Sequence, residues 1–234
     1  MLLDTHQDVE LAGGFCQSRG FGLRHRVADV LRRRRLLGAG VLGLYAARAM
    51  LRFLMRPRVE WRLRQRGRRA LSRVVTVPDI HAPKVLEQVR ALAPDLGLVY
   101  GSPRLEPQLF QIPAMGTLGI HHGKLPEYRG KKTAFWALLN GEATAGVTIQ
   151  RINAGLDTGD IVCAAEVPIA GRRYGHVDAA VQELGVQLYV SAILAVKRGQ
   201  AVCRPQTRGR GPLYRQPGAR DVLRLWRRQL GFQR

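Results

Sequence analysis

Cysteine, acidic side chains and long apolar runs free of charge are all scarce in this sequence of 234 residues. Its three cysteines, Cys16, Cys163 and Cys203, stand far apart, and their spacing matches no metal-ligand pattern. The N-terminus lacks the basic, apolar and small-residue regions of a secretory signal. These absences favour a reduced, cytoplasmic protein without a metal site.

The most apolar stretch, residues 36–55, has the length of a membrane span but contains Arg48 and Arg52. Each arginine costs about 2.5 to 3.5 kcal/mol near the centre of a bilayer, which disfavours a span. Two alternatives remain for this segment. It is either a helix lying in the membrane interface with its arginines at the rim, or a helical insertion packed on the folded domain.

Basic side chains outnumber acidic ones by 38 to 17, but the excess is confined to two flanks. Residues 24–73 hold 16 arginines against two acids, and residues 204–234 hold nine against one. Residues 74–203 are nearly neutral, with 12 basic and 11 acidic side chains. A neutral centre argues against a domain whose main surface reads nucleic acid. The flanks remain candidate sites for RNA, anionic lipid or a phosphorylated substrate, although a GC-rich coding sequence would produce the same arginine bias.

Short apolar runs alternate with amphipathic stretches through the neutral centre of the chain. Apolar residues at helical spacing predict one helix over residues 84–93 and a long one over residues 176–198. Strands alternating with helices indicate an α/β domain with a mainly parallel sheet. The predicted strands are residues 9–16, 74–77, 96–101, 118–121, 145–153 and 161–169, a short helix covers 133–141, and the core faces of the two longer helices are Val85, Leu86, Val89 and Leu92, and Val177, Val181, Leu184, Leu188 and Leu194.

Two polar residues fall where predicted strands end. His121 closes the strand at 118–121, and Asp157 lies in the loop that follows the strand at 145–153. Ligands of an open α/β sheet bind outside the carboxyl ends of its strands, and a carboxylate beside an imidazole there makes a general acid/base pair. Spacing alone leaves both a catalytic and a structural role open for His121.

The string LDTGD also resembles the DTG signature of aspartic proteases. Those enzymes need two such carboxylates on a β-rich fold. This chain has one DTG in an α/β pattern, which argues against a protease.

Several motifs in order are similar to those of the folate-dependent formyltransferases, which include enzymes acting on methionyl-tRNA, glycinamide ribonucleotide and sugar nucleotides. The motifs are YG at 100–101, GTLGIHHGKLPEYRG at 116–130, FWALLNGE at 135–142, GVT at 146–148 and GLDTGDIV at 155–162. The resemblance implies a Rossmann-like fold and transfer of a formyl group from 10-formyltetrahydrofolate to an amine. His121 matches the family's catalytic histidine and Asp157 its catalytic aspartate.

The resemblance also implies where the folate binds. Tyr100 and Gly101 match the strand end that lines the pterin pocket, and the loop at 125–130 matches the segment beside the folate. Lys124, Lys131 and Lys132 are either a solvated loop face or contacts for the folate's glutamate tail or a phosphate. The loop residues expected to line the folate are Leu125, Pro126, Tyr128, Arg129 and Gly130.

One functional side chain of the family is absent. The family places an asparagine two positions before the histidine, where it donates a hydrogen bond to the oxyanion of the reaction, and this chain has Gly119 there. Losing one such donor typically costs about 100- to 1,000-fold in rate. His122 cannot replace it, because neighbouring residues on a strand point to opposite faces. We therefore expect impaired or atypical catalysis.

The resemblance divides the chain into four parts. Residues 1–23 are the start of the α/β domain, expected to lack the family's first strand, and residues 24–73 are an Arg-rich helical insertion. Residues 74–203 are the formyltransferase core, and residues 204–234 are a basic C-terminal tail. Methionyl-tRNA formyltransferases carry a further β-barrel domain, so a small amine such as an amino sugar nucleotide is favoured over initiator tRNA as the acceptor. The alternative is a catalytically inactive relative that binds folate, RNA or a membrane surface through its basic flanks.

Overall fold

The computed structural model of the chain describes residues 9–17, 73–206 and 211–230. The predicted Arg-rich helical insertion lies outside these residues except for Arg73. The chain divides into two compact units, Met1–Val85 and Leu86–Arg234.

The first unit contains a parallel pair of short strands, β1 (Gly14–Gln17) and β2 (Val74–Val77). Arg73, next to β2, contacts the segment before β1: its Nη1 atom lies 2.6 Å from Glu10 Oε1 and donates to the carbonyl of Leu11. The strand predicted over residues 9–16 begins later, at Gly14. Its partner β2 has only four residues, so pairing limits β1 to the same length.

The second unit is built on a mixed sheet with strand order β3–β4–β6–β7. Strands β3 and β4 are parallel, whereas β6 runs antiparallel to both β4 and β7. A separate parallel pair joins β5 and β8, so three of the five strand pairings among the described residues are parallel. The strands are β3 Gly97–Val99, β4 Thr117–His121, β5 Arg129–Gly130, β6 Thr144–Arg151, β7 Ile161–Pro168 and β8 Leu213–Tyr214.

Five helices complete the described fold, and the long helix α4 covers the sheet. It packs against β4, β6 and β7 and against α3. By length and composition alone α4 is also the one described helix that could cross a membrane, but its apolar residues form part of the core. The helices are α1 Pro83–Ala91, α2 Pro107–Phe110, α3 Thr133–Asn140, α4 Tyr174–Lys197 and α5 Ala219–Gln229.

The buried stripe of α4 differs from the predicted one. Val177 and Val181 are buried as expected, but the rest of the buried stripe includes small residues and contains no leucine. The predicted Leu184, Leu188 and Leu194 are only half-buried. On α1, the predicted core residue Leu92 is exposed because it lies beyond the last helical residue, Ala91. The other buried residues of α4 are Gly185, Ala192, Ile193 and Val196.

The basic C-terminal tail contains a folded part, β8 and α5. Leu225 of α5 is buried, and α5 packs on α3. The opposite face exposes Leu223 and Trp226 together with arginines at 220, 224 and 227. A contact of this flank with anionic membrane or RNA stays a prediction.

Candidate active site

His121 and Asp157 meet at the end of β4, as the strand exits predict. The His121 ring is buried, and its Nδ1 atom lies 3.4 Å from Asp157 Oδ1. β4 places the ring at the edge of the sheet, and the loop between β6 and β7 brings the carboxylate to it. The carboxylate is therefore within ion-pair distance of the imidazole and can stabilise its protonated form.

The loop carrying Asp157 is held in one shape by its own polar side chains. Asn153 Oδ1 accepts hydrogen bonds from the Gly155 N–H and the Thr158 hydroxyl, each at 2.9 Å. An Asn side chain that binds nearby backbone in this way stabilises a turn in place of a helix or strand. Asp157 itself has φ of 52°, a left-handed conformation that non-glycine residues rarely adopt and that clusters at functional sites.

The Asp157 carboxylate has a second fixed partner. Its Oδ2 atom accepts a hydrogen bond of 2.8 Å from the Gly130 N–H. The neighbouring Arg129 guanidinium donates to the carbonyl of Leu156, at 2.9 Å from Nη2. The strand β5 thus holds the Asp157 loop through both residues of the strand.

The other nitrogen of His121 is bound to backbone. Its Nε2 atom lies 2.6 Å from the carbonyl oxygen of Tyr128. A carbonyl only accepts, so Nε2 carries a proton and donates it, which leaves Nδ1 to gain or lose the proton facing Asp157. Gly123 makes room for this contact, because a Cβ there would lie 2.6 Å from both His121 Nε2 and Tyr128 O.

The space expected to hold the family's asparagine contains an apolar side chain. Gly119 lies two residues before His121 on β4 and so faces the same side of the sheet. A Cβ built on Gly119 would overlap the Cδ1 atom of Ile152. Ile152 therefore occupies the place where the side chain of the family's asparagine would begin, and no open pocket is left there.

Side chains of the predicted folate loop divide between the core and the surface. Leu125 and Tyr128 are buried, and the Tyr128 ring stacks on Tyr214 of β8 at 5.0 Å between centroids. Its hydroxyl donates to Glu142 Oε1 at 2.8 Å. These two residues hold the loop in place, whereas Pro126 and Arg129 are half-exposed and remain available to a ligand.

Tyr100 and Gly101 follow β3 at the same edge. The Tyr100 side chain is 57% exposed, and Gly101 has open space, with no atom within 4 Å of where its Cβ would be. A flat ring can therefore approach the backbone here. Tyr100 also contacts the His122 ring edge to face, at 5.7 Å between centroids.

His122 points away from His121, toward Gly185 of α4. Its Nε2 atom is buried and has no hydrogen-bond partner among the described residues. Burial lowers the pKa of His122 from 6.5, the charges of His121 and Lys132 lower it further, and Asp178 opposes them. This histidine is therefore held neutral within the fold.

Because folding lowers its pKa, His122 makes the stability of the fold depend on pH. The unfolded chain binds a proton at His122 more readily than the folded chain, so its contribution is complete above about pH 6.5 and is lost as the pH falls. We expect His122→Gln, which cannot titrate, to reduce the drop in Tm between about pH 7.5 and about pH 5.5. Differential scanning calorimetry measures this drop, and the same change at the exposed His176 is the control. An equal drop in parent and variant would contradict the prediction.

Sequence spacing gave no role to Gln150, which the structure brings to the site. It is buried on β6 opposite Gly119, and its Nε2 atom lies 3.3 Å from Asp157 Oδ1. The sequence feature that could have indicated this role is the pair Thr148 and Gln150, two polar residues at alternate positions within the buried part of β6. Thr148 also serves the site, because its hydroxyl donates to the carbonyl of Gly123 at 2.8 Å.

The described residues contain no group of three or more His, Cys, Asp or Glu side chains that could hold a metal ion. The site is defined instead by a histidine and an aspartate at the strand exits of an α/β sheet. A carboxylate beside an imidazole at this edge can perform general acid/base chemistry.

Comparison with known proteins gives the family. The formyl transferase profile matches residues 68–193, more than half of the chain, and the chain belongs to this family. It is 38% identical over 141 residues to a methionyl-tRNA formyltransferase of Koribacter versatilis, covering 58% of this chain and 45% of that protein. The chain thus spans less than half the length of this curated relative.

Solved structures show the same fold. The glycinamide ribonucleotide transformylase 1 of Symbiobacterium toebii matches with a TM-score of 0.54 and 25% identity, over 61% of this chain and 74% of that one. HypX of Aquifex aeolicus, solved with tetrahydrofolic acid, matches with a TM-score of 0.51 and 24% identity, over 65% of this chain and 28% of that one.

Proposed function

We propose that this chain transfers a formyl group from 10-formyltetrahydrofolate to the amine of a small acceptor. The observation that carries the proposal is the 3.4 Å approach of His121 Nδ1 to Asp157 Oδ1 in a member of the formyl transferase family. The pair supplies a proton acceptor and a carboxylate that stabilises the protonated ring. Both are needed when an amine attacks a formamide carbon.

The reaction transfers protons that this pair can handle. As the amine nitrogen bonds to the formyl carbon, it becomes cationic and must lose a proton, while the nitrogen that leaves must gain one. His121 takes and returns this proton at Nδ1 because its Nε2 proton is held by the Tyr128 carbonyl. Asp157 stabilises the ring while it carries both protons.

The residues at the end of β3 fit the folate. The exposed ring of Tyr100 and the open backbone at Gly101 offer a flat ring both a stacking surface and close backbone contact. Pro126 and Arg129 would border it on the side of the loop. When bound, the folate supplies the activated formyl group.

Gly119 lowers the rate that this site can reach. The oxyanion that forms beside His121 would face the Ile152 methyl group instead of an amide donor. An apolar atom offers no compensation for developing negative charge. We infer slow transfer with folate binding retained.

The acceptor is a small amine, such as an amino sugar nucleotide, rather than initiator tRNA. Support comes from the likeness to the glycinamide ribonucleotide transformylase 1 of Symbiobacterium toebii, 74% of whose length the chain covers. The Arg-rich flanks fit a phosphorylated acceptor by charge.

Binding and transfer are tested separately on the full chain. Isothermal titration with tetrahydrofolate should show saturable binding, and mass spectrometry should detect formylated product from at least one of an amino sugar nucleotide, glycinamide ribonucleotide and methionyl-tRNA. Tyr100→Ala should weaken folate binding by about 2- to 10-fold. Trp226→Ala, at an aromatic side chain of similar exposure on α5, should leave it unchanged.

The outcomes separate the two functions considered. Folate binding with no product from any acceptor would favour the inactive folate-binding relative. Absence of both would overturn the assignment.

A further inference from the structure

Gln150 presents a buried amide whose orientation the backbone fixes. Only 4% of the side chain is exposed. Its Oε1 atom accepts a hydrogen bond of 3.2 Å from the Gly159 N–H, and a backbone N–H can only donate. The oxygen of the amide must therefore face Gly159, and the NH₂ group faces Asp157.

The amide thus donates to the catalytic carboxylate. Gln150 Nε2 lies 3.3 Å from Asp157 Oδ1, the same oxygen that faces His121 Nδ1. A donor fixed at this oxygen sets the direction of the carboxylate relative to the imidazole ring. Any group that holds Gln150 therefore acts on the His121–Asp157 pair.

Gln206 is such a group, and it comes from a distant part of the chain. Its Nε2 atom lies 3.3 Å from Gln150 Oε1 and 2.5 Å from the carbonyl oxygen of Gly159. Two residues earlier, Arg204 exchanges two backbone hydrogen bonds of 2.8 Å with Ile161 at the start of β7. This bridge holds the segment in place, so that Gln206 reaches the loop of Asp157.

We propose that Gln206 is a positioning residue of the active site, acting through the Gln150 amide on the Asp157 carboxylate. The proposal rests on the proposed function for its kinetic consequence. In the chain of donors, Gln206 binds the oxygen of Gln150 and polarises that amide, which strengthens its donation to Asp157. The segment after α4 is thereby connected to the proton-transfer pair.

Two substitutions at Gln206 distinguish the effect of its hydrogen-bond donation from the effects of its size and charge. Gln206→Glu keeps the shape but, when ionised, replaces both donors by acceptors facing the Gly159 carbonyl and Gln150 Oε1. Gln206→Met removes the donors without adding charge. The matched control is Gln200→Glu, the same chemical change at an exposed residue of the same segment.

We expect kcat to fall by about 3- to 10-fold in Gln206→Met, the value of about one hydrogen bond, and further in Gln206→Glu. The KM for 10-formyltetrahydrofolate should stay at the parent value, because the hydrogen bonds of Gln206 are to Gln150 and Gly159 and not to the residues proposed for the folate. Gln200→Glu should match the parent in both constants.

A second readout needs no turnover. In the full chain carrying ¹⁵N-labelled histidine, the Nδ1 proton of His121 that faces Asp157 should give a downfield resonance once acidification has placed protons on both ring nitrogens. That resonance should shift or broaden in both Gln206 variants and remain in Gln200→Glu. A parent that shows the resonance but transfers no formyl group would end the proposed function and leave the role of Gln206 to be decided by the resonance. A parent-like resonance in both Gln206 variants would overturn the proposal, even if their kcat were reduced.

Discussion

His121→Ala should lower the kcat of formyl transfer by about 100- to 10,000-fold, the usual contribution of one general acid/base residue. Removing the imidazole leaves Asp157 as the remaining member of the pair, and a carboxylate alone cannot both accept a proton from the amine and return it as readily to the leaving nitrogen. Folate binding should be retained because Tyr100 and Gly101 are unchanged. Steady-state kinetics with the acceptor found by mass spectrometry measures the loss.

The neighbouring histidine provides a matched control. His122→Ala removes an identical ring one position along the chain, but this ring faces α4 and Tyr100 instead of Asp157. It should keep a kcat within a small factor of the parent. Asp157→Asn should lose rate as His121→Ala does while keeping the loop, since asparagine tolerates the left-handed backbone at this position. Equal rates for His121→Ala and His122→Ala would remove His121 from the mechanism.

Restoring the family's asparagine should raise the rate only when Ile152 is also shortened. Gly119→Asn alone places a Cβ on the Cδ1 atom of Ile152, and overpacking of this kind typically costs about 1 to 3 kcal/mol of stability. The double variant Gly119→Asn with Ile152→Ala removes the overlap and gives the amide room. We expect it to exceed the parent by up to about 100- to 1,000-fold in kcat, the usual contribution of one oxyanion donor.

Two comparisons control this experiment. Ile152→Ala alone opens the same space without a donor, so its rate should not rise. Thermal denaturation of the single Gly119→Asn variant should show a lower Tm than the parent, and the double variant should recover part of the loss. If the parent already turns over at about 1 to 1,000 per second, or if the double variant is no faster, the absent asparagine does not limit the proposed transfer.

Sequence patterns predicted the parts of the fold that depend on local periodicity. The strand at 74–77 and the strand ending at His121 were placed well because apolar runs bounded by glycine or polar residues signal strands directly. The stripe of α4 was less predictable. Leucines at helical spacing were expected in the core, whereas the helix buries Gly185 and Ala192. Small residues allow a helix to approach a sheet closely, but the apolar periodicity of the sequence does not identify them.

The site was predictable to the extent that its side chains carry a motif. His121 and Asp157 follow strand exits and match a family pattern, so their meeting was expected. The Tyr128 carbonyl could not be found from residue types, because every residue has one. Ile152 and Gln206 escaped for another reason: their contacts depend on how the chain folds back, and nothing in their local sequence marks a neighbour of Gly119 or of Gln150.

The pairing of β5 with β8 affects the order in which this site is completed during synthesis. Gly130 pairs with Tyr214, whose ring also stacks on Tyr128, the residue whose carbonyl holds His121. A chain emerging from the ribosome exposes β4 and the Asp157 loop well before residue 214. The His121–Asp157 pair therefore gains this support only after β8 has been made, and a nascent chain stopped before β8 would carry both residues without the strand that pairs with β5.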